Sequence, residues 1–216
     1  MAQFLNDTFT DTNAVVLTSH TGETGATWTR QTGENASGQF TVQSNRIFCS
    51  TGQAVLQASG TPTTPDYDVT ATIRVVTTVT SIVGVIGRAA PAARTYYLAF
   101  YNRITSGGAW SVGIQRMVAG TANTLVENTI TSLTAGTDHT LMLRMVGNRI
   151  TAYSDGVVVA GPLLDSNITA AGKAGVWSNT TVTTTTGHHI DTITALDTPI
   201  PGKNFNRAPI IRASAY

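Results

Sequence analysis

Hydrophobic and polar positions alternate with a period of two residues over much of this chain. The clearest case is residues 141–145, where Leu or Met occupies every second position. Such alternation is typical of a strand with one buried face. Gly147-Asn148 and Asp155-Gly156 follow at positions where two-residue hairpin turns are expected. The pattern therefore predicts three consecutive antiparallel strands between residues 139 and 164.

The same kind of pattern predicts strands elsewhere along the chain. Residues 66–76, 171–177 and 189–196 are rich in alternating apolar or β-branched positions and are bounded by Gly, Pro or polar residues. No stretch of a dozen residues combines a helical period with helix caps. The chain is therefore predicted to be all-β.

Composition supports one β domain and excludes several function classes. Charged residues make up 12% of the 216 residues, and the formal net charge is +1. An average globular protein has about 25% charged residues. Threonine, which favours strands, is abundant here. A near-neutral chain offers no broad attraction for nucleic acid or an acidic membrane. The apolar run at residues 81–87 is too short to span a bilayer.

The order of these segments resembles the concanavalin A-like, laminin-G-like jelly roll. The resemblance is carried by residues 139–156, with their two Gly-containing turns, then by residues 171–177 and residues 189–196. Near the N-terminal end, Asp7-Thr-Phe and a Gly25-x-x-Trp28 segment also match. The resemblance covers about residues 4–197. It implies an antiparallel two-sheet jelly-roll sandwich over residues 1–197, a fold that serves many functions.

Residues 198–216 differ from the rest and are predicted to form an extended C-terminal arm. Three prolines argue against further sheet pairing. Apolar residues alternate with basic ones, which favours contact with a protein surface. That surface is either the chain's own sandwich or a neighbouring subunit. The predicted contact residues are Pro199, Ile200, Pro201, Lys203, Phe205, Arg207, Ile210, Ile211, Arg212 and Tyr216.

No catalytic residues are predicted. Some jelly-roll relatives are glucanases with a Glu-x-Asp-x-x-Glu strand that brings two carboxylates together. This chain has three glutamates, and none belongs to such a run. Asp66 and Asp68 share one strand face, and we interpret them as solvent-exposed residues at the start of a strand. His188 and His189 are adjacent, so on a strand they point to opposite faces and do not chelate one ion together.

A structural calcium ion is the one cofactor that the resemblance suggests. Many sandwiches of this superfamily tie the first strand to the last with Ca²⁺, and the matching carboxylates here are Asp7 and Asp191. Calcium takes six to eight oxygen ligands. The alternative is that both carboxylates accept hydrogen bonds from nearby backbone amides. We expect no cofactor.

Residues 94–103 hold the aromatic residues that could form a binding surface. Tyr96, Leu98 and Phe100 share one side of this strand and are predicted to face the core. The other side lies close to the next strand, and three alternatives stay open: a stacking surface for sugar, a protein interface, or a second packed face. The residues of that side are Tyr97, Tyr101, Arg103 and Trp110. Trp28 and Trp177 are assigned to the core, as is the single cysteine, Cys49.

The function predicted from these features is structural. No secretory signal precedes Phe4, and the composition is low in charge and rich in threonine. Together with the arm and the resemblance to laminin-G-like modules, which are common in phage particles, these features favour a virion component. We therefore expect a non-enzymatic phage virion protein, a capsid decoration (cement) protein, located on the capsid or tail surface. Its expected partners are the major capsid protein or other virion proteins, and further copies of itself. The alternative is a lectin-like, glycan-binding adhesion module on a tail or head fibre.

Overall fold

A computed structural model describes residues 2–34, 37–76, 81–103, 108–179 and 187–198. Within these residues the chain forms fifteen β-strands and one short 3-10 helix at Leu17–Ser19. The strands are β1 (Gln3–Asp7), β2 (Trp28–Arg30), β3 (Gln39–Val42), β4 (Ile47–Thr51), β5 (Ala54–Ala58), β6 (Tyr67–Arg74), β7 (Ile82–Ala89), β8 (Tyr96–Arg103), β9 (Trp110–Val118), β10 (Thr121–Ile130), β11 (Asp138–Val146), β12 (Arg149–Ser154), β13 (Val157–Leu164), β14 (Lys173–Ser178) and β15 (His189–Asp197).

The strands pair into two antiparallel sheets. The eight-stranded sheet has the order β13-β12-β11-β6-β15-β4-β3, and β1 also pairs with β15. The seven-stranded sheet has the order β10-β9-β8-β7-β14-β5-β2. Inner-face residues of both sheets form one hydrophobic cluster, so the sheets pack face to face. The predicted all-β two-sheet sandwich is confirmed.

The hairpins of the eight-stranded sheet form at the predicted turns. Val146 pairs with Arg149 across the first turn, and Ser154 pairs with Val157 across the second. Asp155 and Gly156 have φ angles of 49° and 79°. Two consecutive left-handed residues give the turn a twist that matches its strands, and Gly adopts such an angle without strain.

Several predicted core residues lie between the sheets. Trp28 is 2% exposed, and its indole nitrogen donates to Asp7 Oδ2 at 2.7 Å. Cys49 is buried, and burial raises the pKa of its thiol to about 11. The thiolate is therefore scarce at neutral pH, and Cys49 acts as a small core residue.

A second hydrophobic cluster lies on the outer face of the seven-stranded sheet. Its members are Val55, Ile86, Ala89, Tyr96, Leu98, Phe100, Met117 and Trp177. Successive side chains of a strand point to opposite faces, so these residues face away from the other sheet. The assignment of the Tyr96 side of β8 to the sandwich core was therefore wrong, since its other side faces inward. Trp177 is also buried, but in this outer cluster.

Arg88 joins three loops at one end of the sandwich. Its guanidinium group is fully buried and donates to the carbonyl oxygens of Pro65, Ile168 and Gly147 at 2.8–2.9 Å. Each donor thus satisfies a carbonyl group near the end of a strand or in a loop. Nothing in the local sequence of β7 indicates that this strand carries a buried cation.

The last described residues leave the sandwich beside the β11–β12 turn. β15 ends at Asp197, and Thr198 N donates to Asp66 O at 2.9 Å. Asp66 Oδ1 in turn accepts from Gly147 N at 2.8 Å. The predicted arm contacts at residues 199–216 lie outside the described residues. Within the described part of the chain, no helix has the length and apolar character needed to cross a membrane.

Candidate binding groove on the outer sheet face

A groove of about 280 Å³ crosses the outer face of the seven-stranded sheet. It lies over the second hydrophobic cluster, and we call it the outer groove. Side chains from several strands and loops line it: Gln53, Ile82, Arg94, Leu98, Phe100, Gln115, Met117, Gly120, Ala122, Trp177 and Asn179. Because β8 lies near the middle of this sheet, its outward residues form the floor of the groove.

Glycines on the neighbouring strands make room for that floor. Phe100 pairs with Gly113 on β9, and a β-carbon at position 113 would lie 2.3 Å from Phe100 Cζ. On the other neighbour, β7, a β-carbon at Gly84 would lie 2.9 Å from Leu98 Cδ1. The apolar side chains of β8 therefore lie over the backbone of β7 and β9. They form a shallow apolar floor for the groove.

Amide and guanidinium side chains line the groove together with this floor. Phe100 is 3% exposed and Trp177 6% exposed, whereas Gln53 and Gln115 are half-buried and Asn179 is exposed. Long hydrogen bonds of 3.4 Å hold both glutamines, from Gln53 Nε2 to Glu34 and from Gln115 Nε2 to Thr124. Hydrogen bonds of this length are weak. A ligand with hydroxyl groups can therefore replace these bonds at little cost.

The charge at one end of the outer groove is neutralised within the protein. Arg94 Nε lies 2.8 Å from Glu34 Oε1, and the Glu34 side chain is 1% exposed. The Tyr96 hydroxyl donates to the same oxygen at 2.9 Å. Burial, followed by the negative charge of Glu34, raises the pKa of Tyr96, so its hydroxyl stays protonated. Arg94 is the one charged side chain that lines the groove in the described residues, and it already has a partner.

A second glutamate lies at the other end of this sheet face. Glu127 Oε1 accepts from Asn102 Nδ2 at 2.9 Å and from the Ser111 hydroxyl. Asn102 and Tyr96 are six residues apart on β8, so Glu127 and Glu34 are separated by about 20 Å along the strand. Paired glycosidase carboxylates lie about 5 Å or 6.5–9.5 Å apart. These two glutamates therefore do not form such a pair.

The four residues proposed as a surface around Tyr97 do not form one. Tyr97, Tyr101, Arg103 and Trp110 are between 0% and 7% exposed. The Tyr97 hydroxyl donates to Asp165 Oδ1 at 2.6 Å, and the Tyr101 hydroxyl donates to Thr140 O at 2.9 Å. The Arg103 guanidinium carbon lies 5.2 Å from the centre of the Trp110 ring. Of the three alternatives, the structure therefore supports the packed face, because the Tyr97 side of β8 faces the other sheet.

Comparison with solved structures identifies the fold. The chain superposes on the carbohydrate recognition domain of Emp47p with a TM-score of 0.53 and 9% identity, covering 86% of this chain and 94% of that one. For the carbohydrate-binding module CBM66 from Bacillus subtilis the TM-score is 0.51 and the identity 17%, covering 79% and 92%. The fold is that of a concanavalin A-like β-sandwich.

A third neighbour of this concanavalin A-like sandwich carries a metal ion. The VIP36 exoplasmic/lumenal domain in its Ca²⁺/Man3GlcNAc-bound form superposes with a TM-score of 0.51 and 11% identity, covering 81% of this chain and 86% of that one. Identities this low show the common fold alone. No protein-family model matches the sequence. No curated protein matches it either.

The two carboxylates proposed for calcium serve other partners in this concanavalin A-like sandwich. Asp7 is fully buried and accepts hydrogen bonds from Phe9 N, His20 Nε2 and Trp28 Nε1 at 2.7–2.9 Å. Asp191 lies 3.2 Å from Arg46 Nε. The described residues contain no group of three or more His, Cys, Asp or Glu side chains that could hold a metal ion. Asp7 and Asp191 therefore do not fit a calcium site.

Sequence reasoning missed the side chains that line the outer groove. Gln53, Gln115 and Asn179 are isolated polar residues in three separate segments, and only sheet order brings them together. Glycine positions were the one sequence feature that could have indicated this groove. Gly84 and Gly113 interrupt the apolar pattern of strands adjacent to β8 and mark the face over which large side chains lie.

Proposed function

We propose that this chain is a non-enzymatic glycan-binding module and that the outer groove is its binding site. The observation that carries the proposal is the composition of the groove, which combines an aromatic and aliphatic floor with a rim of amide side chains. Sugars have apolar ring faces that stack on aromatic side chains and hydroxyl groups that bond to amides. Pockets with few well-placed polar groups over an apolar lining are typical ligand sites.

The structural neighbours support this proposal over a structural role in a particle. Two of them are named as carbohydrate-binding or carbohydrate-recognising domains, and VIP36 is described with Man3GlcNAc bound. These names describe those proteins. For this chain they raise glycan binding above the other functions that the fold serves.

The charge distribution favours a neutral glycan. Arg94 is paired with Glu34, and Glu127 places a negative charge on the same sheet face. The internal segments outside the described residues, 35–36, 77–80, 104–107 and 180–186, contain no charged residue in their sequence. Among the described residues and these internal segments, an acidic sugar would therefore find no unpaired cation in the outer groove, at a cost of several kcal/mol for an unpaired buried charge.

The proposal can be tested on a glycan array and then by calorimetry with the neutral oligosaccharide that gives the strongest signal. Gln115→Ala should weaken binding about tenfold, because it removes hydrogen bonds worth roughly 1–1.5 kcal/mol. Trp177→Ala should weaken it further, because it removes a large part of the apolar floor. Tyr153→Ala, on the outer face of the other sheet, is the matched control and should bind as the unaltered chain does.

Two results would contradict the proposal. One is that no neutral glycan binds at millimolar concentration. The other is that Gln115→Ala, whose half-buried side chain can be removed without a core defect, binds as tightly as the unaltered chain. The predicted virion location, the capsid-protein partner and self-association stay predictions.

A further inference from the structure

The face of the sandwich opposite the outer groove has an apolar depression of about 350 Å³. Side chains of β11, β12 and β13 line it, and we call it the β13 depression; its lining includes Arg144, Val146, Arg149, Tyr153, Val158 and Pro162. Tyr153 forms one wall, and the Arg144 guanidinium carbon lies 5.4 Å from the centre of its ring. Arg144 is held in turn by a two-point ion pair with Asp68.

Exposed apolar side chains concentrate on β13, and one of them, Val158, lines the depression. Among the described residues, four large hydrophobic side chains are exposed, and three of them lie on β13: Val157 at 65%, Val158 at 47% and Leu164 at 70%. β13 is also an edge strand. Edge strands are usually protected by charged side chains, prolines or bulges. β13 has Pro162 and irregular pairing with β12, but no charged side chain between Val157 and Leu164. Such a surface is typical of a site that another segment covers.

The chain leaves the sandwich on the same side. Asp197 pairs with Tyr67 on β6, which pairs with Met145 at the end of β11. Met145 pairs with Ile150 at the start of β12, so Thr198 and the depression lie toward the same end of the sheet. Four strand spacings, about 19 Å, separate β15 from β13.

The sequence after Thr198 has the length and composition to reach and fill this depression. An extended chain advances about 3.3 Å per residue, so Phe205, seven residues beyond Thr198, can lie up to about 23 Å away. Phe205 is the first aromatic residue of the arm. Pro199 and Pro201 favour an extended backbone before it.

We propose that the arm docks on its own sandwich, with Phe205 packed in the β13 depression. This contact covers the apolar edge strand and leaves the outer groove on the opposite face open, so it is independent of glycan binding. Attachment through a short tether gives the arm a high effective concentration at the depression, which favours the intramolecular contact over capture by a second copy.

Disulfide trapping in the full chain tests the contact. Val158→Cys combined with Asn206→Cys places one thiol in the depression and one beside Phe205. Cys49 can stay, because burial raises its pKa to about 11 and keeps it unreactive. The matched control combines Asn206→Cys with Thr194→Cys, a position on the same sheet face of β15 that lies closer to Thr198.

Docking predicts that the Val158 pair forms an intramolecular disulfide about tenfold faster than the Thr194 pair, although its tether is longer. Adding Phe205→Ser should remove this advantage. Equal rates, or a faster Thr194 pair, would show an arm that samples positions by distance alone and would overturn the proposal. Disulfides formed only between chains, at a rate that rises with protein concentration, would also overturn it.

Discussion

The aromatic ring of Phe100 occupies the space that a side chain at Gly113 would need. The two residues pair directly across β8 and β9. A β-carbon at position 113 would meet Phe100 Cζ at 2.3 Å and Cε1 at 2.8 Å, and the carbonyl oxygen of Val126 at 2.9 Å. The floor of the outer groove therefore depends on the absence of a side chain on the neighbouring strand.

Gly113→Ala should lift the Phe100 ring and deform the outer groove. Overpacking of this kind costs about 1–3 kcal/mol. We expect that loss in urea unfolding, together with weaker binding of the glycan identified for the unaltered chain.

A double variant shows whether the Phe100 ring or the backbone oxygen of Val126 obstructs a side chain at position 113. In a Phe100→Leu background the distal ring atoms are absent, so Gly113→Ala should destabilise the protein less than it does alone. An undiminished loss would show that Val126 O, and not the ring, limits the space at position 113.

The sequence was sufficient to predict the eight-stranded sheet's hairpins. In these strands apolar residues occupy one face and mostly polar residues the other. The two-residue turns are Gly147-Asn148 and Asp155-Gly156, so the local sequence determines both the strands and their register. Asp155 and Gly156 adopt the left-handed angles that this turn requires.

The inward side of β8 could not be predicted in the same way. Tyr96, Leu98 and Phe100 on one side and Tyr97, Ala99 and Tyr101 on the other are all at most 3% exposed. When both sides are apolar, periodicity identifies a strand but not its interior face. The deciding contacts come from residues far along the chain, such as Thr140 and Asp165, which accept the hydroxyls of Tyr101 and Tyr97.

Tyr97→Phe should lower stability without changing glycan binding. The Tyr97 hydroxyl donates to Asp165 and accepts from Ile168 N at 3.3 Å, in the sandwich interior. Loss of a buried hydrogen-bonded hydroxyl costs about 1–2 kcal/mol, which urea unfolding measures. Tyr153→Phe, on a half-buried ring of the other sheet, is the control and should change stability by less than about 0.5 kcal/mol. Weaker glycan binding by folded Tyr97→Phe would contradict the placement of the glycan site on the outer face of the seven-stranded sheet.

Calcium should leave the thermal stability of this protein unchanged. Asp7 accepts three hydrogen bonds and Asp191 pairs with Arg46, so neither carboxylate is free to coordinate a cation. A ligand that binds the folded state raises the midpoint of unfolding by mass action. We therefore expect the same midpoint by calorimetry in EDTA and in millimolar calcium. A rise with calcium would require a site built from other residues.

His188 should make the protein less stable as the pH falls below neutrality. Burial, followed by the nearby positive charges of His189 and Arg103, lowers the pKa of His188 to about 4. The unfolded histidine titrates near 6.5. Between these values the unfolded state binds a proton that the folded state does not, so stability falls on acidification. The loss between pH 6.5 and pH 5 should be smaller in His188→Gln, measured by urea unfolding. An identical slope in both proteins would exclude His188 as the cause.

His20 should act in the opposite direction above neutrality. Burial lowers the pKa of His20, but hydrogen bonds from its ring to Asp11 and Asp7, both 2.9 Å long, and the charges of these carboxylates outweigh burial, so the pKa lies above its ordinary value. The folded state therefore holds a proton that the unfolded chain has already released. Its contribution is fully present below about pH 6.5 and is lost as the pH rises through the folded pKa.

The His20 contribution can be isolated with a neutral side chain at the same position. His20→Gln keeps one hydrogen-bond donor for Asp7 but carries no charge, so its stability should not share the decline of the unaltered chain between pH 6.5 and pH 9. The carboxylates whose pKa values are lowered, including Asp11 and Asp165, titrate well below this range and do not contribute there. Parallel curves for the two proteins over this range would mean that His20 is neutral between Asp7 and Asp11, and that hydrogen bonding alone holds this N-terminal cluster together.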